Sequence, residues 1–318
     1  MGIRVAVLGC GRMGRQRARA ALSLGGRVVA LCDPDLPRAH EVAALAPGSR
    51  VLPDWRDLDL ASIDGVFVCT PPNARGEVEV RALEAGVAIF VEKPIGLSAS
   101  QSAAALEVLR RKPVITAVGY MNRYRPSVQA ARDALGGKVI LGLSGNWAGA
   151  RYAVPWWDHE TLSGGPVNEQ ATHLVDLARY LVGDIREVHA MTGGPPGPHG
   201  APEAAAVSLR FAGDALGTVL YTCQARQKTI NLQVITEETS VRLEGWDFRL
   251  RGDDGRLFPE VEPERDKIFE LEVAAFFAAI RKDSTTPILS DLPDAMRTQR
   301  TVDAIRRSLR SSRIEPVD

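Results

Sequence analysis

Along the first 118 residues, short unbroken apolar runs alternate with stretches whose apolar residues recur every three or four positions. The runs 3–8, 28–32, 65–69, 87–91 and 114–118 predict strands, and 12–24, 35–45, 74–85 and 98–111 predict helices between them. Strands that are apolar at nearly every position have both faces covered, so the alternation predicts a doubly wound parallel sheet. After Tyr120 the rhythm changes. A helix over 126–135 and an apolar segment from Val139 to Leu143 precede a Trp-rich loop, 151–163, and a strong helix over 166–182. The segments 203–211, 215–225, 228–236 and 240–250 then alternate apolar and polar residues with no helix between them. That pattern predicts a large, open, mostly antiparallel sheet. Helices over 267–282 and 294–311 close the pattern, and the Gly- and Pro-rich run 192–200 is a loop. The expected fold class is α/β: a doubly wound domain over 1–119 and a second, α+β domain over 120–318. The last helix is a candidate to pack back on the first domain.

Composition changes this picture little. A chain of 318 residues, 45% hydrophobic and 25% charged, suits two packed domains. Lys+Arg and Asp+Glu are both 39, which leaves no basic excess to recruit nucleic acid or an anionic membrane. Cys10, Cys32, Cys69 and Cys223 are scattered and form no CxxC, so neither a metal site nor a disulfide framework is expected. No apolar run approaches a membrane span, and the chain enters a strand at once, so no signal peptide is expected. The expected location is cytoplasmic.

The candidate chemistry begins at the end of the first strand. Gly9-Cys10-Gly11-Arg12-Met13-Gly14 lies between a strand and a helix, and the second strand delivers Asp33. Gly9 permits a tight turn, Gly11 lets a pyrophosphate approach the backbone, and Gly14 lets the helix lie close on the sheet. The positive helix end then faces the phosphates, and the acid accepts from ribose hydroxyls. A 2′-phosphate facing Asp33 at ~4 Å would cost up to ~4 kcal/mol per unit charge at an effective dielectric near ~20. The reading is therefore NAD. Arg12 and Arg38 lie close enough in sequence to relieve part of this repulsion and keep NADP open.

Three further segments bear on what is done with the nucleotide. Thr70-Pro71-Pro72-Asn73 ends one strand and Glu92-Lys93-Pro94 the next. In an open α/β sheet both strand ends border the cofactor. Lys93 is restricted by the following proline, across a bond where a cis peptide is least costly. Its ammonium is suited to hydrogen-bond a substrate oxygen. In the third segment Glu169, His173 and Asp176 share one helix face, a setting in which carboxylates fix the tautomer of a general base. Trp156 and Trp157 suit stacking on the apolar faces of sugar rings, with Asp158 or His159 binding hydroxyls; both tryptophans equally suit core or interface anchors. No Tyr is followed four residues later by Lys, the pattern of short-chain dehydrogenases.

These motifs, with Gly119-Tyr120-Met121-Asn122-Arg123-Tyr124 and the segment from Gly164 to Asp176, occur in the order seen in the Gfo/Idh/MocA oxidoreductases, which the chain resembles over nearly its whole length. The resemblance implies a Rossmann domain followed by a domain with a large open sheet that often mediates dimers or tetramers. It implies Lys93 and His173 as the catalytic pair and places Asn122 and Arg123 near the nicotinamide or the substrate. Where the family commonly has Asp four residues before the His, this chain has Glu169. The implied reaction moves a hydride between NAD and a CH–OH group of a sugar, inositol or related polyol. Reduction of an aldehyde, imine or tetrapyrrole-type substrate, and a non-catalytic dinucleotide sensor, stand as alternatives.

Overall fold

The computed structural model describes residues 2–195, 197–252, 255–260 and 265–318. Pro196, within the expected loop 192–200, lies outside them. The chain divides into two compact units, Met1–Gly96 with Ser100–Met121 and Glu264–Ala295, and Leu97–Ala99 with Asn122–Pro263 and Met296–Asp318.

The first unit is a six-stranded sheet of β1 (Arg4–Leu8), β2 (Arg27–Cys32), β3 (Arg50–Leu52), β4 (Gly65–Val68), β5 (Ala88–Val91) and β6 (Thr116–Val118). Their order is β3-β2-β1-β4-β5-β6, and every pairing is parallel. Helices α1 (Arg12–Ser23), α2 (Leu36–Ala43), α3 (Glu77–Ala85) and α4 (Ala103–Arg111) connect the strands. The strand order reverses between β1 and β4, and a parallel sheet binds ligands outside the carboxyl ends at such a switch point. The core is aliphatic around an aromatic centre: Phe67, Phe90 and Phe276 lie with ring centroids 5.4–5.7 Å apart. Phe276 belongs to the helix Arg265–Ile280, which the chain adds to this unit after completing most of the other. A single cut at 119/120 leaves that helix out.

The second unit contains α5 (Pro126–Leu135), β7 (Ile140–Ala150), a π-helical turn Val167–Ala171, the helix Thr172–Val182 and β8 (Ile185–Met191). β9 (Ala204–Phe211), β10 (Leu216–Thr222), β11 (Gln224–Thr236), β12 (Ser240–Glu244), β13 (Arg249–Arg251), β14 (Leu257–Phe258) and β15 (Glu315–Pro316) complete a nine-stranded sheet. Its order is β14-β13-β12-β11-β7-β10-β9-β8-β15. Among the described residues, β10 and β7 pair in parallel and the other pairings are antiparallel. Alternation along β9 and β10 puts Ala205, Val207, Leu209, Phe211, Val219 and Tyr221 into the core. The opposite face mixes polar side chains with exposed large apolar ones, Met191, Leu216, Leu220 and Ile235 among them. Cross-strand register aligns Met191, Ala206, Leu220, Asn146 and Asn231 in one row across five strands. Among the described residues, no helix is long and apolar enough to cross a membrane.

Candidate functional site

In the first unit the glycine cluster links β1 to α1. Gly9 takes φ +85°, and a Cβ there would fall 2.8 Å from the backbone of Cys69. A Cβ on Gly14 would fall 1.9 Å from the Gly9 carbonyl oxygen. Both positions exclude a side chain, which lets α1 start against the ends of β1 and β4. Gly11 is different, since the space around its Cβ direction is open to 4 Å. It caps α1 without a side chain, and the first turn holds no acid. The leading N–H groups and the positive end of the helix dipole are thus left for an anionic ligand. Arg12 stands exposed and Met13 half-buried beside them.

Asp33 is buried at the end of β2, and its carboxylate is already placed by the backbone. Cys10 N–H donates to Oδ2 (2.7 Å) and Asp35 N–H to Oδ1 (2.9 Å). Each oxygen keeps a second lone pair for a ribose hydroxyl. Arg38 Nη1 stands 3.7 Å from Asp33 but its Nη2 lies 2.7 Å from Asp35, so its charge is shared between two acids. Burial, with the Asp33 charge second, pushes the Cys10 thiol up to about 12. Cys10 therefore serves as a small apolar spacer in the turn.

At the neighbouring strand ends, Thr70 and Pro71 are half-buried, Pro72 is buried and Asn73 is exposed. β5 runs into Glu92 and the half-buried Lys93, and the Lys93–Pro94 peptide is cis. Behind Glu92 lies Arg17, a residue that the sequence reading passed over. Its Nε donates to Glu92 Oε1 at 2.6 Å, and its Nη1 lies 2.7 Å from Glu272 Oε2 on the helix Arg265–Ile280. Its guanidinium also lies over the Phe90 ring at 4.3 Å. Burial would lower the pKa of this arginine, but the two carboxylates outweigh it and the net shift is upward.

In the second unit, Glu169, His173 and Asp176 are all buried on the π-helical turn and the helix that follows. The His173 imidazole stacks on Trp147 of β7, with centroids 5.5 Å apart and planes 10° from parallel. Asp176 is engaged by Arg123, whose Nη2 donates to Oδ1 at 2.6 Å and whose Nε lies 3.0 and 3.2 Å from the two oxygens. Thr298 Oγ1 adds a bond to Asp176 at 3.3 Å. Arg123 also lies over the Tyr180 ring. Asn122, expected with Arg123 near the nicotinamide or substrate, is buried, and its Oδ1 accepts from Arg125 Nε at 2.9 Å. The structure thus ties Arg123 to the helix that carries His173.

Trp157 is core, 4% exposed and edge-on to Tyr152; Trp156 is half-buried against the same core. After them come Asp158 and His159. The His159 and His199 rings stack at 3.4 Å, and His199 Nε2 lies 3.8 Å from Asp158 Oδ1. The ring planes are 24° from parallel. Each of the three offers one ligand atom, all within 4.8 Å of one another, so the group has the donor set to hold a metal ion as well as to bind hydroxyls, a cluster that the expectation of no metal site passed over.

Residues 3–120 match the family model for oxidoreductases with an NAD-binding Rossmann fold, and 137–242 match the GFO/IDH/MocA C-terminal domain. The chain is 28% identical over 306 residues to scyllo-inositol 2-dehydrogenase (NAD(+)) of Bacillus subtilis (strain 168), covering 91% of this chain and 89% of that protein. It is 34% identical over 190 residues to inositol 2-dehydrogenase of Rhizobium meliloti (strain 1021), covering 58% and 56% of the two chains. The fold of levoglucosan dehydrogenase, solved in complex with NADH and L-sorbose, superimposes with a TM-score of 0.89 over all of both chains at 23% identity. The glycine turn, the placed Asp33 and the nine-stranded second sheet all fit these matches, and the chain belongs to the Gfo/Idh/MocA family of oxidoreductases, with an NAD-binding Rossmann domain.

Proposed function

We propose that this protein is an NAD-dependent dehydrogenase that oxidises a CH–OH group of an inositol, sugar or related polyol to a carbonyl. The similarity over 91% of the chain to an NAD(+)-dependent scyllo-inositol 2-dehydrogenase carries this reading. The residues present suit the cofactor: open space and unused N–H groups at Gly11 for the pyrophosphate, and the spare lone pairs of Asp33 for the ribose. When bound, NAD supplies the hydride acceptor. His173 takes the proton of the substrate hydroxyl, and Lys93 hydrogen-bonds the same oxygen as it becomes a carbonyl. Glu169, one turn before His173, orients the imidazole. Thr70, Pro71, Pro72, Asn73 and Glu92 line the cofactor, Asn122 and Arg123 support the substrate side, and Trp156 borders the polyol. The core position of Trp157 supports its reading as an anchor.

A spectrophotometric screen of inositols, anhydrosugars, aldoses and sugar acids, with NAD and NADP in parallel, tests the reading. Absorbance from NADH is expected with at least one polyol, and NADP is expected to be poorer by about tenfold or more, since ~1.4 kcal/mol of repulsion at Asp33 suffices for that factor. No turnover across the whole panel would overturn it.

We also infer a homo-oligomer joined through the open face of the second sheet. Support comes from large apolar side chains exposed on that sheet: Met191 (63%), Leu216 (55%), Leu220 (51%) and Ile235 (41%). A sheet face of this kind is stable in water when a second copy covers it. Light scattering after gel filtration is expected to give a dimer or tetramer, and Leu220→Asp a smaller species; a monomeric parent protein would end the idea. A cytoplasmic location is supported by four cysteines that all remain free thiols.

A further inference from the structure

Arg75 is a buried arginine just past the Thr70–Asn73 turn, outside every motif considered so far. Its guanidinium spends its donors on backbone carbonyls. Nε and Nη2 donate to the Thr70 carbonyl at 3.0 and 2.6 Å, and Nη1 donates to the carbonyls of both Glu92 and Pro94. One rigid plane therefore bridges the end of β4 and the end of β5. Just past β5 it holds the carbonyls of the two residues that flank Lys93. The arginine is itself held: Gln101 Nε2 donates to the carbonyls of Arg75 and Pro72, each at 2.9 Å. Arg75 N–H bonds to Pro72 and Gly76 N–H to the Glu79 carboxylate.

We propose that Arg75 is the positioning residue that fixes Lys93 for the reaction, an inference that rests on the catalytic role proposed for Lys93. The alternative is a strut that merely stabilises two turns. Geometry favours positioning, because a strut needs one bond to each turn, whereas here the carbonyls of both residues flanking Lys93 are gripped. A guanidinium can do this because its five donors lie in one fixed plane; an ammonium on a flexible stem cannot. Freed of that grip, the two carbonyls flanking Lys93 lose the guanidinium that holds them, and a displacement of about 1 Å in a reacting group costs on the order of 10²-fold in rate.

The test is a double-mutant cycle with Arg75→Ala, Arg75→Lys and Lys93→Ala, using NAD with myo-inositol and scyllo-inositol as probe substrates under single-turnover conditions. A second readout needs no substrate: acetylation of Lys93 by acetic anhydride, measured by peptide mass spectrometry against exposed Lys267 as internal reference. We expect Arg75→Ala to lower kcat about 10²-fold with NADH affinity, read by fluorescence, within a few-fold of the parent. Arg75→Lys should fall between, and covers the case in which the alanine variant folds poorly. On the Lys93→Ala background, Arg75→Ala should cost less than about threefold, because the group it positions is gone. Lys93 should also be acetylated faster in Arg75→Ala, with Lys267 unchanged. Losses that multiply across the cycle, or unchanged Lys93 labelling, would overturn the positioning role while leaving Lys93 catalytic. An unimpaired Lys93→Ala enzyme would overturn the parent reading and this one with it.

Discussion

Lys93→Ala and His173→Ala should each lower kcat by about 10²–10⁴-fold, the range that general acid–base groups contribute, while NADH binds within a few-fold of the parent affinity. The separation follows from where the side chains lie. In the proposed reading the nucleotide takes its contacts from the Gly9–Gly14 turn, Asp33 and the open N-terminus of α1, and these are untouched by either substitution. In the proposed mechanism both residues act on the same substrate oxygen, Lys93 by donating a hydrogen bond and His173 by accepting the proton. Their losses should therefore be less than multiplicative in the double variant. Glu169→Gln should show a smaller loss than His173→Ala, since the imidazole remains and loses only an orienting charge. Steady-state rates beside a fluorescence titration of NADH decide the matter. Turnover within tenfold of the parent in either alanine variant would remove that residue from the chemistry.

The second large effect is on stability. Arg17→Ala should destabilise the protein by about 3–5 kcal/mol, the usual consequence of removing one partner from a buried ion pair. The Arg17 side chain is 0% exposed, and it lies between Glu92 and Glu272, exposed 6% and 0%. Without it, the two carboxylates lose the cation between them beside Phe90 and Phe269, and a void the size of the arginine side chain beyond its Cβ opens next to them. Arg17→Met restores volume but not charge and should recover little. The double variant Arg17→Met/Glu272→Leu, which removes charge of both signs, should recover more. Urea unfolding gives the comparison. A shift below about 1 kcal/mol for Arg17→Ala would show that the carboxylates find other partners or water.

The alternation of buried strands with helices, and the glycine turn with Asp33, were legible because each is a local pattern. What escaped was local pattern interrupted. β8 was missed because a bulge between Ile185 and Glu187 puts Ile185 and Val188 on the same side, breaking the two-residue period. The expected strand 240–250 is split into β12 and β13 by a turn at Gly245, φ +81°. β3 spans three residues, too few for any period to show. The buried charges divide in an informative way. Arg17 falls with Gly14, Ala18 and Ala21 on the inward stripe of α1, and Glu272 falls beside Ile268, Phe269, Val273 and Phe276 on its own helix. Each is a charged residue in an apolar stripe, and the two together implied a partner. Arg75 carried no such mark. Its bonds go to carbonyls of two turns separated along the chain, and only the assembled sheet brings them together. The pairing of Asp176 with Arg123 was hidden for the same reason, although both residues had been noticed singly.

The π-helical turn over Val167–Ala171 has one further consequence. A turn of that kind holds one residue more than an α-turn, and one residue corresponds to about 100° of rotation around a helix axis. The azimuth of the imidazole relative to the chain entering at Gly164–Gly165 is therefore set by a count of residues instead of by their identity. Deleting any one of the five would leave a longer, more regular α-helix of nearly the same hydrophobicity, with its histidine turned to another quarter of the compass.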